Sequence, residues 1–155
     1  MAGPSEGVTA PDFDLATDGG GRIRLADLKG KKVVLYFYPK DDTKGCTIEA
    51  IDFTALLGDF DKAGAIVVGV SPDTVESHDR FKQKHGLSLA LAADPEHKAI
   101  DAYGLWIEKS LYGRKYMGVD RSTFLIGPDG RIARTWRSVR VKGHAEEVLA
   151  AAKRL

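Results

Sequence analysis

A chain of 155 residues that is 43% hydrophobic and 29% charged has enough apolar material for one folded domain spanning residues 1–155. Its net charge of +1 excludes a global electrostatic drive toward nucleic acid or an anionic membrane. A single cysteine excludes an internal disulfide and any multi-cysteine metal site, and no run of ~18 apolar residues offers a membrane span.

Residues 1–11 are small, polar and punctuated by proline, as in a loose arm, and no basic segment leads into an apolar run. No secretory signal is therefore expected, and a reducing, cytoplasmic setting is. Phe13 and Leu15 alternate with Asp12 and Asp14, and Ile23 and Leu25 alternate with Arg22 and Arg24. The Asp18-Gly19-Gly20-Gly21 cluster between them predicts a turn, hence an N-terminal β-hairpin. No helix follows those glycines and no Lys-Ser/Thr pair closes them, so they do not read as a phosphate cradle.

Val33 to Tyr38, VVLYFY, closed by Pro39, predicts a central strand covered on both faces. Cys46, Ala50, Phe53 and Leu57 then recur at helical spacing, with Cys46 in the first turn. Ile48, Ile51 and Ala55 add a second apolar flank, so burial on more than one side of this helix is expected. Gly64 to Val70 is another buried strand, and Pro72, Asp73 and Glu76 mark a helix start running to about Lys84. Leu87 to Ala93 reads as a short strand, and Glu96 to Tyr103 as a brief helix ended by Gly104. Leu105 to Gly118 is aromatic and basic and reads as loop or irregular strand. Ser122 to Ile126 and Arg131 to Trp136 flank a Gly-Pro-Asp-Gly turn as a hairpin, and Gly143 to Leu155 forms an amphipathic helix with Val148 and Leu149 inward. The order β-β-β-α-β-α-β-α-β-β-α predicts an α/β layered fold with a mixed sheet, and its ligand loop is Pro39 to Gly45, after a strand's carboxyl end.

Chemistry concentrates at Pro39, Thr43 and Cys46, spaced P-x-x-x-T-x-x-C. Pro39 stops the strand and stiffens the turn. Thr43 places a hydroxyl where it can cap backbone N–H groups or bond near the thiol, and Gly45 permits close approach of a small substrate. A thiol in a helix's first turn meets unpaired N–H groups that favour its thiolate, the reactive form.

The run YFYPKDDTKGCTIEAIDF resembles the active-site segment of the peroxiredoxins, in particular the bacterioferritin comigratory protein (PrxQ) group. APDFDL (10–15), GVSPDT (69–74), LAADPEHKAIDAYGLW (91–106) and DRSTFLIGPDGRI (120–132) extend the resemblance in the same order over nearly the whole chain. It implies a thioredoxin-like fold, peroxide reduction at Cys46, Thr43 and Arg121 as partners of the thiol, and Pro39 shaping the pocket. The physics gives Arg121 a reason. An ordinary thiol with a pKa of ~8.5 is about 3% ionised at pH ~7, and lowering that value to ~6 takes roughly 3.4 kcal/mol. A helix N-terminus supplies about 0.3–1 kcal/mol, reaching ~2 in a favourable buried site. A fixed cation closes the gap, and donors aimed at the leaving oxygen supply the rest of the rate. The backbone N–H of Cys46 joins Thr43 and Arg121 as a donor.

Two departures from the group matter. Many members carry a second cysteine five residues after the first, where this chain has Ile51, and the group's usual proline before Gly45 is Lys44. A Cys46 sulfenic acid then needs an external thiol such as thioredoxin or glutaredoxin with glutathione, or a second subunit's Cys46. The expectation is a one-cysteine, thiol-dependent peroxidase acting on hydrogen peroxide and alkyl hydroperoxides, as a monomer or weak homodimer, without cofactor or metal. The alternative is a peroxide sensor or holdase that signals through oxidised Cys46 without turning over. A disulfide exchanger would need C-x-x-C, and the fourth position is Glu49, which reads as a helix-surface or hydrogen-bonding residue able to orient Arg121. His78, His85, His97 and His144 lack metal-ligand spacing and read as surface histidines. Arg131, Arg134, Arg137, Arg140 and Lys142 around Trp136 read as a solvated strand edge rather than a nucleic-acid face. Tyr103, Trp106, Tyr112 and Tyr116 suit either a reductant-docking surface or packing.

Overall fold

The computed structural model describes residues 3–155. Its centre is a five-stranded sheet in the order β5-β4-β3-β8-β9. Three strands, β3 (Lys32–Phe37), β4 (Ala65–Ser71) and β5 (Ala90–Ala93), run parallel, while β8 (Ser122–Ile126) and β9 (Ile132–Trp136) complete it antiparallel. β3 lies in the middle, paired on both edges, which is what its unbroken apolar run requires. Its alternate side chains feed two separate cores. Val34, Tyr36 and Tyr38 join Cys46, Ala50, Phe53, Phe60, Phe81 and Val148 on one face, under the helices α1 (Lys44–Ala55), α2 (Leu57–Lys62), α3 (Val75–His85) and α5 (His144–Arg154). Val33, Leu35 and Phe37 face Phe13, Leu15, Ile100, Tyr103 and Leu105 on the other, beneath α4 (Lys98–Ala102) and the N-terminal hairpin β1 (Asp14–Ala16) and β2 (Arg22–Arg24).

The structure corrects several local expectations. Leu105 to Gly118 contains a regular antiparallel hairpin, β6 (Trp106–Leu111) with β7 (Arg114–Val119), turned at Tyr112-Gly113, where both residues have positive φ. It carries exposed Trp106, Leu111, Tyr112, Tyr116 and Met117, whereas Tyr103 lies in the core and donates its hydroxyl to the Pro11 carbonyl at 2.7 Å. The helix bearing Cys46 breaks at Leu56, so α1 and α2 are separate. Its second apolar flank is not covered: Ile48 and Ile51 are 43% and 44% exposed, and Ala55 is exposed too.

The described part of the N-terminal arm is held down. Gly7 N–H donates to the Ile132 carbonyl, Ala10 N–H to that of Gly130, and Ile132 N–H to that of Val8, so the arm shields the start of edge strand β9. The arginine ribbon is engaged within the molecule. Arg134 lies 4.6 Å over the Trp136 ring and reaches Glu147, and Arg137 donates to the Pro4 carbonyl. Two of the four histidines are core residues: His78 and His144 are buried, each bonded through its ring. Helix α3 starts at Val75, behind the Thr74 cap whose hydroxyl accepts from Ser77 N–H, three residues beyond Pro72.

Candidate active site

β3 delivers the chain to Pro39, and α1 begins at Lys44, so Cys46 occupies the first turn of a 12-residue helix. The N–H groups of that turn have no acceptor within the helix and point toward the end where the sulfur sits. Cys46 is 1% exposed. The antiparallel register pairs Phe37 with Ser122, which sets the preceding residue, Arg121, beside the carboxyl end of β3. Arg121 Nη2 donates to Cys46 Sγ at 3.2 Å, and Nη1 donates to Glu49 Oε1 at 2.5 Å. One guanidinium thus bridges thiol and carboxylate, using the two parallel donors of its fork. A Cβ at Gly45 would stand 3.2 Å from Arg121 Nη2, so the glycine leaves room for the guanidinium as well as for approach from outside.

Pro39 is half-buried at the strand's end. Thr43 is the residue before α1, but its hydroxyl does not cap the helix; it donates to the Lys40 carbonyl at 2.9 Å and braces the loop. Lys44 is exposed on the first helical turn.

Glu49 is 1% exposed, and its Oε2 has no hydrogen-bond partner. Burial raises its pKa to about 7, against the downward pull of Arg121. Spacing offered the signal for it: positions 46 and 49 are i and i+3, on one helical face. Burial works against the charge of Arg121, but Glu49 and Cys46 outweigh it and hold the guanidinium more firmly protonated than usual. Tyr36, from β3, brings a buried and unpartnered hydroxyl to the same group; burial first, then Glu49 and Cys46, push its pKa well up. Lys109 of β6 stands within electrostatic reach of Cys46 and Arg121, and partial burial lowers its pKa. Nothing in the local pattern of Leu105 to Gly118 announced that.

A second buried group anchors the loop. Asp41 accepts from the Tyr38 hydroxyl at 2.5 Å and the Ser77 hydroxyl at 2.8 Å, and His78 Nδ1 lies 2.7 Å from its Oδ2. His78 Nε2 faces the Ala92 carbonyl at 3.0 Å. Asp42, at φ 60°, pairs with Lys84 and His85 at 2.7 Å each. Two consecutive aspartates thereby fasten the segment before Cys46 to helix α3.

Comparison with known proteins agrees with this geometry. The family model described as AhpC/TSA matches residues 7–135. The chain belongs to the AhpC/TSA family. Within it, this peroxiredoxin is 49% identical over 143 residues to Peroxiredoxin Bcp of Bacillus subtilis, covering 92% of this chain and 91% of that one. It is 37% identical to Peroxiredoxin Bcp of Escherichia coli, covering 92% of each. Among solved structures, a variant of Xanthomonas campestris Peroxiredoxin Q superposes with a TM-score of 0.90 at 44% identity, covering 97% of this chain and 99% of that chain. The X. campestris bacterioferritin comigratory protein, for which alkyl peroxide reduction activity is described, gives 0.87 at 46% identity over 92% of this chain and 90% of that one. The fold is thioredoxin-like, and the protein is a peroxiredoxin of the Bcp/PrxQ kind with Cys46 as its one cysteine. No helix among the described residues is long and apolar enough to cross a membrane.

Proposed function

We propose that this peroxiredoxin reduces hydrogen peroxide and alkyl hydroperoxides by a one-cysteine cycle, with Cys46, Thr43 and Arg121 as the reacting group and Pro39 and Gly45 shaping the substrate's approach. The observation that carries the reading is the 3.2 Å contact from Arg121 Nη2 to the sulfur of a cysteine in the first turn of α1. The guanidinium and the helix N-terminus both favour the thiolate. The thiolate attacks the terminal peroxide oxygen, an S–O bond forms as the O–O bond breaks, Cys46 becomes sulfenic acid, and the departing oxygen takes a proton to become alcohol or water. Arg121 and the Cys46 N–H are donors for the charge growing on that oxygen, and Thr43 fixes the loop from which they act. An external thiol then condenses with the sulfenic acid, releasing water, and a second thiol frees Cys46 and leaves as disulfide. The reductant is a thiol of the thioredoxin or glutaredoxin–glutathione type in a reducing, cytoplasmic compartment, and the protein works as a monomer or weak homodimer.

Peroxide consumption measured side by side with thioredoxin, glutaredoxin plus glutathione and small dithiols tests this. At least one system should sustain many turnovers, and Cys46→Ser should abolish them. Consumption that stops after one equivalent with every thiol in excess would make the protein a sensor instead, and full activity in Cys46→Ser would remove Cys46 from the reaction.

A further inference from the structure

The buried cluster at the site holds one cation and two groups that can be anions. Cys46 and Glu49 are each 1% exposed, and Arg121 donates one Nη to each. A single guanidinium stabilises one buried anion well; a second beside it lacks compensation in a low-dielectric site. Glu49 Oε2, without a partner, also has room for a proton. The groups around the carboxyl sharpen the imbalance. Cys46 and Asp52 lie on its own helix, Asp52 adding negative charge; Tyr36 faces it from β3 with a neutral hydroxyl; only Arg121, ahead of β8, opposes with a direct positive contact. Lys109 from β6 interacts with both Arg121 and Cys46 without a direct contact to the carboxyl, His144 from α5 interacts with Arg121, and burial keeps His144 neutral down to about pH 4.

We propose that Glu49 is the proton store of the peroxidase cycle: its carboxyl is protonated while Cys46 is thiolate, and ionised once Cys46 has become sulfenic acid. The inference rests on the peroxidase reading of Cys46. Before reaction, Arg121 pairs with the thiolate and Glu49 is a neutral acid that still accepts from Nη1. Attack on the peroxide turns sulfur into a neutral sulfenic acid and leaves an alkoxide or hydroxide. The proton given up by Glu49 neutralises that anion, and the carboxylate takes over the positive charge that sulfur has vacated. After the external thiol regenerates Cys46 as a thiol, its proton passes back to Glu49 and the thiolate returns. Charge on the buried cluster stays constant throughout, which removes the cost of an uncompensated anion at each step. The raised pKa of Glu49, about 7, agrees with a carboxyl that changes protonation near neutrality. Glu49 is thus the proton donor to the departing oxygen, and Arg121 is the cation that sulfur and carboxylate share in turn.

The experiment is infrared difference spectroscopy on the reduced protein, with one equivalent of hydrogen peroxide added at neutral pH. The carbonyl stretch of a protonated carboxylic acid should be present before peroxide and lost as sulfenic acid forms, and Glu49→Gln should lack that change. The thiolate absorbance of Glu49→Gln, titrated without peroxide, should have its midpoint at lower pH than the wild type, because no carboxyl then competes with sulfur for the one negative charge that Arg121 supports. Its oxidation rate constant should nonetheless fall about 10²-fold, the usual contribution of a positioned proton donor. A residue that merely held Arg121 in place would instead move the thiolate midpoint upward in the variant. Stoichiometric peroxide consumption with no carboxylic-acid band change would overturn the proton store and leave the peroxidase standing. That result, obtainable on the unmutated protein, needs no variant to fold. Failure to consume peroxide would strike the underlying peroxidase reading.

Discussion

Two buried polar groups flank the segment from Tyr38 to Glu49, and they are built on opposite principles. Around Asp41 both carboxylate oxygens accept hydrogen bonds, and both nitrogens of His78 face oxygen acceptors. Around Arg121 the bonds are fewer, and Glu49 Oε2 and the Tyr36 hydroxyl stay unpartnered. Unpaired buried groups are costly, so they persist where the fold gains something other than stability. The saturated cluster is a scaffold that pins the loop to α3. The unsaturated one leaves a carboxyl oxygen and a hydroxyl without partners around Arg121, as the proposed peroxide and proton chemistry there requires.

That contrast is open to direct attack. The largest effect belongs to Arg121→Ala, which should slow the oxidation of Cys46 by peroxide about 10²–10³-fold, as loss of a donor to the leaving oxygen does. Rapid-mixing measurement of the second-order rate constant decides it, and an unchanged constant would take Arg121 out of the reaction. Asp41→Ala should do the opposite: the buried Tyr38 and His78 lose their acceptor, costing about 3 kcal/mol, or roughly 6–12 °C in Tm, with a smaller loss of rate at temperatures where the variant is folded. A variant as stable as the wild type would dissolve the distinction between scaffold and site.

Acid response sharpens the comparison further. Glu49 keeps its proton up to about pH 7 in the fold, against 4.5 for an ordinary glutamate, so the folded state binds the extra proton between those values. Stability therefore falls as pH rises through that window, by an amount on the order of 3 kcal/mol. His144 works with the reverse sign. Burial lowers it from 6.5 to about 4, so the unfolded chain takes up a proton below 6.5 that the fold refuses, and stability falls as pH drops. The two slopes oppose each other where the windows overlap. Glu49→Gln removes one of them, so urea midpoints should drop more steeply on acidification in the variant than in the wild type; parallel midpoints would mean that Glu49 is ionised throughout. The smallest effect is expected at Asp42→Asn. Its partners Lys84 and His85 are held in exposed, solvent-screened pairs, so Tm should not shift measurably. A clear drop would make the exposed anchor part of the scaffold.

The sequence by itself determined the local features. Runs such as Val33 to Tyr38 are apolar without interruption and can only be covered strands; the spacing of Cys46, Ala50 and Phe53 is helical; and P-x-x-x-T-x-x-C marks where a thiol meets a helix start. Its resemblance to the peroxiredoxins named Thr43 and Arg121 as well. What it could not rank was burial. Ile48 and Ile51 are as apolar as Phe53, yet only one flank of α1 faces the sheet, and His78 and His144 gave no local sign that they are core residues. Only the tertiary structure decided which distant groups meet, because sheet register, not chain spacing, fixes those distances. The pairing of Phe37 with Ser122 puts Arg121 at the sulfur, and α1 lying across that face turns Glu49 inward onto the same guanidinium. The cysteine was legible at once; the shared charge that governs it exists only in the folded sheet.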